Sequence, residues 1–153
     1  MLHIVGEVVV SAQESRPGCW VIDGRVSYAA PVTSGADVQT VRGWALPGLV
    51  DAHCHVGLDR NGPVDDATSE TQALTDRAAG TLLIRDAGSP ADTHWIDDRE
   101  DLPRIVRAGK HIARTRRYIR NFAHETEPDE FVPHVRLEAR RAAGWVTAGR
   151  ARH

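Results

Sequence analysis

The chain has 153 residues, a formal net charge of −2, and 41% hydrophobic against 26% charged residues, a balance that allows a globular core and argues against disorder. Its slight acidity gives no general reason to expect nucleic acid or an anionic membrane as partner. Two cysteines, Cys19 and Cys54, provide no disulfide framework, and the first apolar runs, interrupted by His3 and Glu7, form neither a signal-peptide core nor a spanning segment, so a reducing cytoplasm is the expected compartment.

In chain order, Leu2 to Val10 and Cys19 to Tyr28 are β-rich runs separated by Ser15-Arg16-Pro17-Gly18, with a tight turn expected at Asp23-Gly24. Val38 to Trp44 adds a further strand. Pro47-Gly48 then punctuates the chain before Leu49-Val50-Asp51-Ala52-His53-Cys54-His55-Val56, which Gly57 closes. In an extended strand, side chains alternate faces, so Leu49, Asp51, His53 and His55 share one face and Val50, Ala52, Cys54 and Val56 the other. The second face is wholly apolar and is expected to be buried, which suits a barrel wall backed by helices. Eight histidines in 153 residues give a His-x-His pair by chance often enough that spacing alone also fits a half-buried antiparallel strand with histidines facing water. The flanking residues carry the inference.

Beyond this strand the pattern alternates helix and strand. Ser69 is a plausible N-cap, Ala73, Leu74, Arg77 and Ala78 follow at helical spacing, and Gly80 ends the helix. Thr81 to Arg85 and Arg104 to Ala108 read as strands. Asp129 to Ala143 reads as a helix closed by Gly144, with Pro133 tolerable near its first turn. Trp145-Val146 begins another strand. These strands are spaced by about 23 to 40 residues, which accommodates βα units of roughly 30 residues.

The segment Gly43-Trp44-Ala45-Leu46-Pro47-Gly48-Leu49-Val50-Asp51-Ala52-His53-Cys54-His55-Val56-Gly57 resembles the first barrel strand and its approach in the amidohydrolase superfamily, particularly the imidazolonepropionase-like and prolidase-like metal-dependent hydrolases. The resemblance continues through Thr81-Leu82-Leu83-Ile84-Arg85-Asp86-Ala87-Gly88-Ser89, and more loosely from Arg117 to Ala123 and on to Gly144-Trp145-Val146. It implies an α/β fold with a small amino-terminal β-sandwich over residues 1–46 and the first part of a (β/α)₈ barrel over 47–146. A complete barrel of that kind takes about 250 residues, so the chain reads as an amino-terminal portion, whether frameshifted, split or an expressed fragment. Residues 147–153 form a short Gly/Ala/Arg tail outside the family pattern.

What the resemblance implies chemically is a divalent metal, most readily zinc, as one or two ions, with His53 and His55 as ligands at the carboxyl end of a barrel strand. Such an ion lowers the pKa of water and polarises an amide carbonyl. Asp51 could orient an imidazole, although a structural hydrogen bond within the strand is an equal reading. Asp86 could order the site or touch substrate, and Arg85 beside it is a candidate of the same kind; a salt bridge or loop anchor is the plainer role. His94, His111, His124 and His134 lack ligand spacing and are expected to be surface or satisfied histidines. In the resembling enzymes the site is completed by a lysine on the fourth strand, by later histidines and by an aspartate after the eighth strand; here Thr147 follows Trp145-Val146.

Seven Lys or Arg residues fall between Arg104 and Arg120. Such runs are commonly solvated faces, and within an enzyme they could line a loop that meets an anionic substrate. The reading that follows is a metal-dependent amidohydrolase of a non-peptide carbon–nitrogen bond or a dipeptide-like amide, weakly active alone, with a small-molecule amide as substrate and without nucleic-acid or membrane partner. The alternative is a non-catalytic remnant or assembly partner, joined to a complementary barrel half or to copies of itself. A third, a small all-β metal-binding module, would require regular strand signals after residue 60.

Overall fold

The structure is a computed structural model that describes residues 1–32, 37–142 and 145–149. It divides into two compact units, Met1–Pro47 and Gly48–His153.

The first unit is a four-stranded sheet. Strands β1 (Leu2–Ser11), β2 (Glu14–Ile22), β3 (Arg25–Ser27) and β4 (Gln39–Arg42) lie in the order β3-β2-β1-β4. The β2–β3 turn is the expected one, with Asp23 and Gly24 both left-handed at φ 49° and 73°, the conformation that matches the twist of a two-residue hairpin. The Ser15-Arg16-Pro17-Gly18 segment does not separate two strands as expected; it runs inside β2. Pro17 is accommodated because the register slips between the Val5–Gly18 and Val8–Arg16 pairs, and a bulge tolerates a residue that has no N–H to give the ladder. Strand β4 pairs with β1 in parallel.

The second unit begins the parallel β/α pattern. Strand β5 (Leu49–Cys54) pairs in parallel with β8 (Thr81–Asp86), which pairs in parallel with β9 (Arg104–Arg107). Between β5 and β8 lie a short hairpin, β6 (Leu58–Asp59) with β7 (Gly62–Pro63), and helix α1 (Asp66–Ala78). A 3-10 turn at His94–Asp98 leads to β9, and β10 (His111–Arg114) pairs in parallel with β11 (Ala123–Thr126) ahead of helix α2 (Phe131–Arg141). Thr147 and Gly149 bond Ile112 through their main chains at 3.0 and 2.9 Å. The start of the tail is therefore paired with β10, while Gly144 lies outside the described residues.

Helix α1 starts four residues before the expected cap. Asp65 is the N-cap, its Oδ1 accepting the Thr68 N–H at 2.8 Å, and Ser69 is buried inside the helix with its hydroxyl donating to the Asp65 carbonyl. A carboxylate serves the orphan amides of the first turn at least as well as a hydroxyl and also complements the positive end of the helix. Ser69 and Ala73, one turn apart, face inward. Ala73 joins Val56, Ile84, Ile96, Leu102 and Ile105 in the core, with Cys54 and Trp95 packed against it. Full burial of a side chain such as Ile84 stabilises the fold by about 1.5–3 kcal/mol.

The apolar face expected on β5 is only half buried. Cys54 and Val56 meet the core, but Val50 is 58% exposed and Ala52 is also exposed. Strand β5 is an edge strand among the described residues, and the core lies under its carboxyl end, where α1 and the 3-10 turn converge.

Candidate metal centre

The carboxyl end of β5 does not continue the simple alternation of a flat strand. Between the Asp51–Ile84 and Cys54–Asp86 pairs the register shifts, with three residues of β5 advancing against two of β8. The bulge turns Asp51 to the side of Cys54. Its carboxylate, the Cys54 thiol and Asp76 of α1 place ligand-type atoms within 4.8 Å of one another. Asp51 Oδ1 also accepts the His53 main-chain N–H at 2.9 Å. Asp51 thus braces the main chain at His53.

His53 and His55 stand with ring centroids 5.6 Å apart and planes at 87°. His55 Nδ1 lies 3.1 Å from the Gly88 carbonyl. A carbonyl can only accept, so Nδ1 carries a proton, and in the neutral ring Nε2 then keeps its lone pair. This is how a metal-binding histidine is oriented, with one nitrogen held by a main-chain oxygen and the other left for the ion. Two neighbouring imidazoles are donors of the type a divalent ion takes. Among the described residues, no third donor joins His53 and His55 within 4.8 Å.

Asp86 closes β8 and is 1% exposed. Its Oδ1 accepts the Gly88 N–H at 2.7 Å and lies 3.9 Å from His55 Nδ1. Burial pushes its carboxyl above the usual range, while the Gly88 and Val56 amides and the charges of His55 and Arg107 pull the other way. Gly88, at φ 117°, is the hinge of this arrangement: its N–H serves Asp86, its carbonyl serves His55, and a Cβ there would come within 3.0 Å of the Gly109 carbonyl. Arg85 does not join them. It is exposed, and its guanidinium carbon sits 3.9 Å from the Trp145 ring centre.

On the other flank of Gly88 is His111, whose main-chain nitrogen would lie 3.3 Å from that same Cβ. Contrary to expectation, His111 is neither a surface nor a satisfied histidine: it is buried, and its Nε2 has no hydrogen-bond partner. Burial holds its pKa below the usual value, and the charge of His55 adds to this. His111 stacks on Tyr118 with centroids 4.0 Å apart. Spacing could not have singled it out; the turn after β9 brings it here. His134 departs from the expectation in the same way, stacking on His124 with its Nδ1 buried and unpartnered, whereas His94 bonds Asp92 and the Arg141 carbonyl and His124 bonds Glu138 at 2.8 Å. Behind the strand, Cys54 donates to Asp76 at 3.6 Å. Burial, with the charges of Asp76 and Asp51, pushes this thiol up to about 12.

In fold, the chain resembles solved structures of an amidohydrolase and of a Xaa-Pro dipeptidase, covering just under half of each. It resembles an amidohydrolase crystal structure with a TM-score of 0.72 at 20% identity, over 96% of this chain and 46% of that one. It also resembles a Xaa-Pro dipeptidase with methionine bound in the active site, with a TM-score of 0.64 at 16% identity over 96% and 46% of the two chains. No family model matches the chain. Its sequence is 55% identical over 128 residues to uncharacterized proteins of Mycobacterium tuberculosis strain H37Rv and of Mycobacterium bovis. That match takes in 83% of this chain, which spans about one third, 34%, of the length of those relatives.

Proposed function

We propose that the chain supplies His53 and His55 as the first two ligands of a divalent ion, zinc by its affinity for imidazole nitrogen, in a hydrolase that cleaves a carbon–nitrogen bond other than a peptide bond. The observation that carries this reading is the His55–Gly88 bond, which occupies Nδ1 and leaves Nε2 as the ligand nitrogen of the neutral ring, beside the His53 ring at the carboxyl end of a parallel strand. When bound, the ion supplies water of lowered pKa and a polarised carbonyl. The chain's own residues hold and shape. Asp86 fixes Gly88, Gly88 fixes the tautomer of His55, and Asp51 fixes the main chain at His53. In this reading the remaining ligands and the general base come from sequence outside these 153 residues.

The likeness in fold to part of an amidohydrolase and of a dipeptidase supports the reading. A second reading, a non-catalytic assembly partner, draws on the edge position of β5, where Leu49 and Val50 are 56% and 58% exposed.

Cobalt or zinc titration of the 153-residue chain tests the ligands. Two imidazoles leave an ion under-coordinated, so binding is expected to be weak. It should be lost in His53→Ala and His55→Ala and retained in Cys54→Ser. A cobalt–thiolate absorption band that disappears only in Cys54→Ser would move the ion to the Asp51–Cys54–Asp76 cluster and sink the assignment.

A further inference from the structure

The loop from β10 to β11 borders a groove of about 590 Å³, within the size range of small-molecule pockets. Its walls carry Lys110, Arg116, Arg120 and His124, with Tyr118 and Asn121 between them and Glu125 as the one carboxylate. Of the basic residues nearby, Arg114 meets Glu127, Arg107 meets Asp97, and Arg99 meets Asp101 and Glu70, whereas Arg104 and Arg117, outside the groove, form no ion pair among the described residues. Among the described residues, Lys110, Arg116 and Arg120 form no such ion pair. Uncompensated like charges around a concavity focus a positive potential into it.

The groove is also held in shape. Glu138, 1% exposed, accepts the Lys110 main-chain N–H through Oε2 and bonds the His124 ring through Oε1, both at 2.8 Å. One buried carboxylate therefore anchors two walls. Tyr118 is stacked on the buried His111 ring. Arg116 and Asn121, on either side of it, are left-handed at φ 59° and 68°. Asparagine takes that conformation readily in turns, but it is uncommon for an arginine, and uncommon backbone positions recur at ligand-binding segments. A solvated basic face needs none of this.

We propose that this groove is a binding site for a small anion, a carboxylate or phosphate group carried on a small molecule and held by Arg116, Arg120 and Lys110. The planar guanidinium forks match both groups, and a preformed groove lowers the ordering cost of binding. None of these residues belongs to the His53–His55 pair, so the site stands independently of the hydrolase reading.

The test uses the 153-residue chain without added metal, followed by amide NMR. The probes are N-acetylglycine, its neutral amide, inorganic phosphate and a ten-nucleotide oligothymidylate. N-acetylglycine or phosphate should shift residues 116–124 saturably, and the tighter of the two names the anion; the neutral amide should not shift them. R116Q/R120Q should weaken binding roughly tenfold or more, the scale of a lost charge-assisted contact. Arg120→Gln alone, which leaves the left-handed position untouched, should weaken it in the same direction. Arg117→Gln, exposed in the same run but outside the groove, should leave it within about twofold. The proposal is overturned if neither small anion shifts the loop, if the arginine variants bind as the parent does, or if the oligonucleotide binds more tightly than both anions. None of these outcomes touches metal binding at His53 and His55, so the two readings fail separately.

Discussion

His111 shows how one side chain can acquire properties its spacing does not announce. An unfolded histidine titrates near 6.5, and burial first, with the charge of His55 second, lowers this in the folded chain. Between the two values the unfolded state binds more protons, so the stability contributed by neutral His111 is present above pH 6.5 and is lost as pH falls through the folded pKa. The denaturant midpoint should therefore fall between pH 7 and pH 5. His111→Phe, which keeps a ring against Tyr118, should flatten that slope. An unchanged slope in the variant would assign the effect elsewhere. Asp51 makes the complementary point: its position on the histidine strand was legible, but the bulge that sends its carboxylate toward Cys54 and Asp76 depends on pairing with β8.

At the scale of the element, helix α1 connects the strand carrying the histidines to the next one. Its existence, its inward Ala73 and its end at Gly80 were readable from spacing and a helix breaker. Its start was misplaced because Ser69 and Asp65 both have capping side chains, and only the Asp65–Thr68 bond decides between them. The Thr68 hydroxyl first and its main-chain N–H second lower the carboxyl pKa of Asp65, so the cap's contribution is present above 3.8 and is lost as pH falls through the folded value. Asp65→Ala should lower Tm by roughly 2–6 °C at neutral pH, the usual scale for a lost N-cap in a small domain. A Tm equal to that of the parent would show the helix to be held by packing alone. Gln72, at mid-helix, gives α1 a positioning role: it accepts the Gly57 N–H and donates to the Leu58 carbonyl, tethering the turn that follows His55.

At the scale of the whole chain, the first parallel strands of the second unit carry three of its exposed apolar residues. Leu49, Val50 and Leu82 are 56%, 58% and 43% exposed, and β5 has one edge without a partner among the described residues. Such an edge pairs with whatever strand it meets. The 153-residue chain should therefore associate with rising concentration in light scattering, and Val50→Lys should reduce this by placing a charge on the edge strand. A parent chain that stays monomeric at high concentration would contradict the expectation. No helix among the described residues is long and apolar enough to cross a membrane.

The sequence by itself determined the parallel β/α order after Pro47, the Asp23–Gly24 turn and the histidine pair at the end of β5, because each depends on neighbours within a few residues: a hydrophobic period, a turn dipeptide or a strand spacing. Tertiary structure decided the rest. It brought Gly88 and Asp86 to His55, set His111 beside them, turned Arg85 to Trp145, and used one buried carboxylate, Glu138, to shape a basic groove from Lys110 and His124. Those relations join residues separated by 14 to 60 positions in the chain, and only the pairing of strands and the packing of helices converts such separations into contacts.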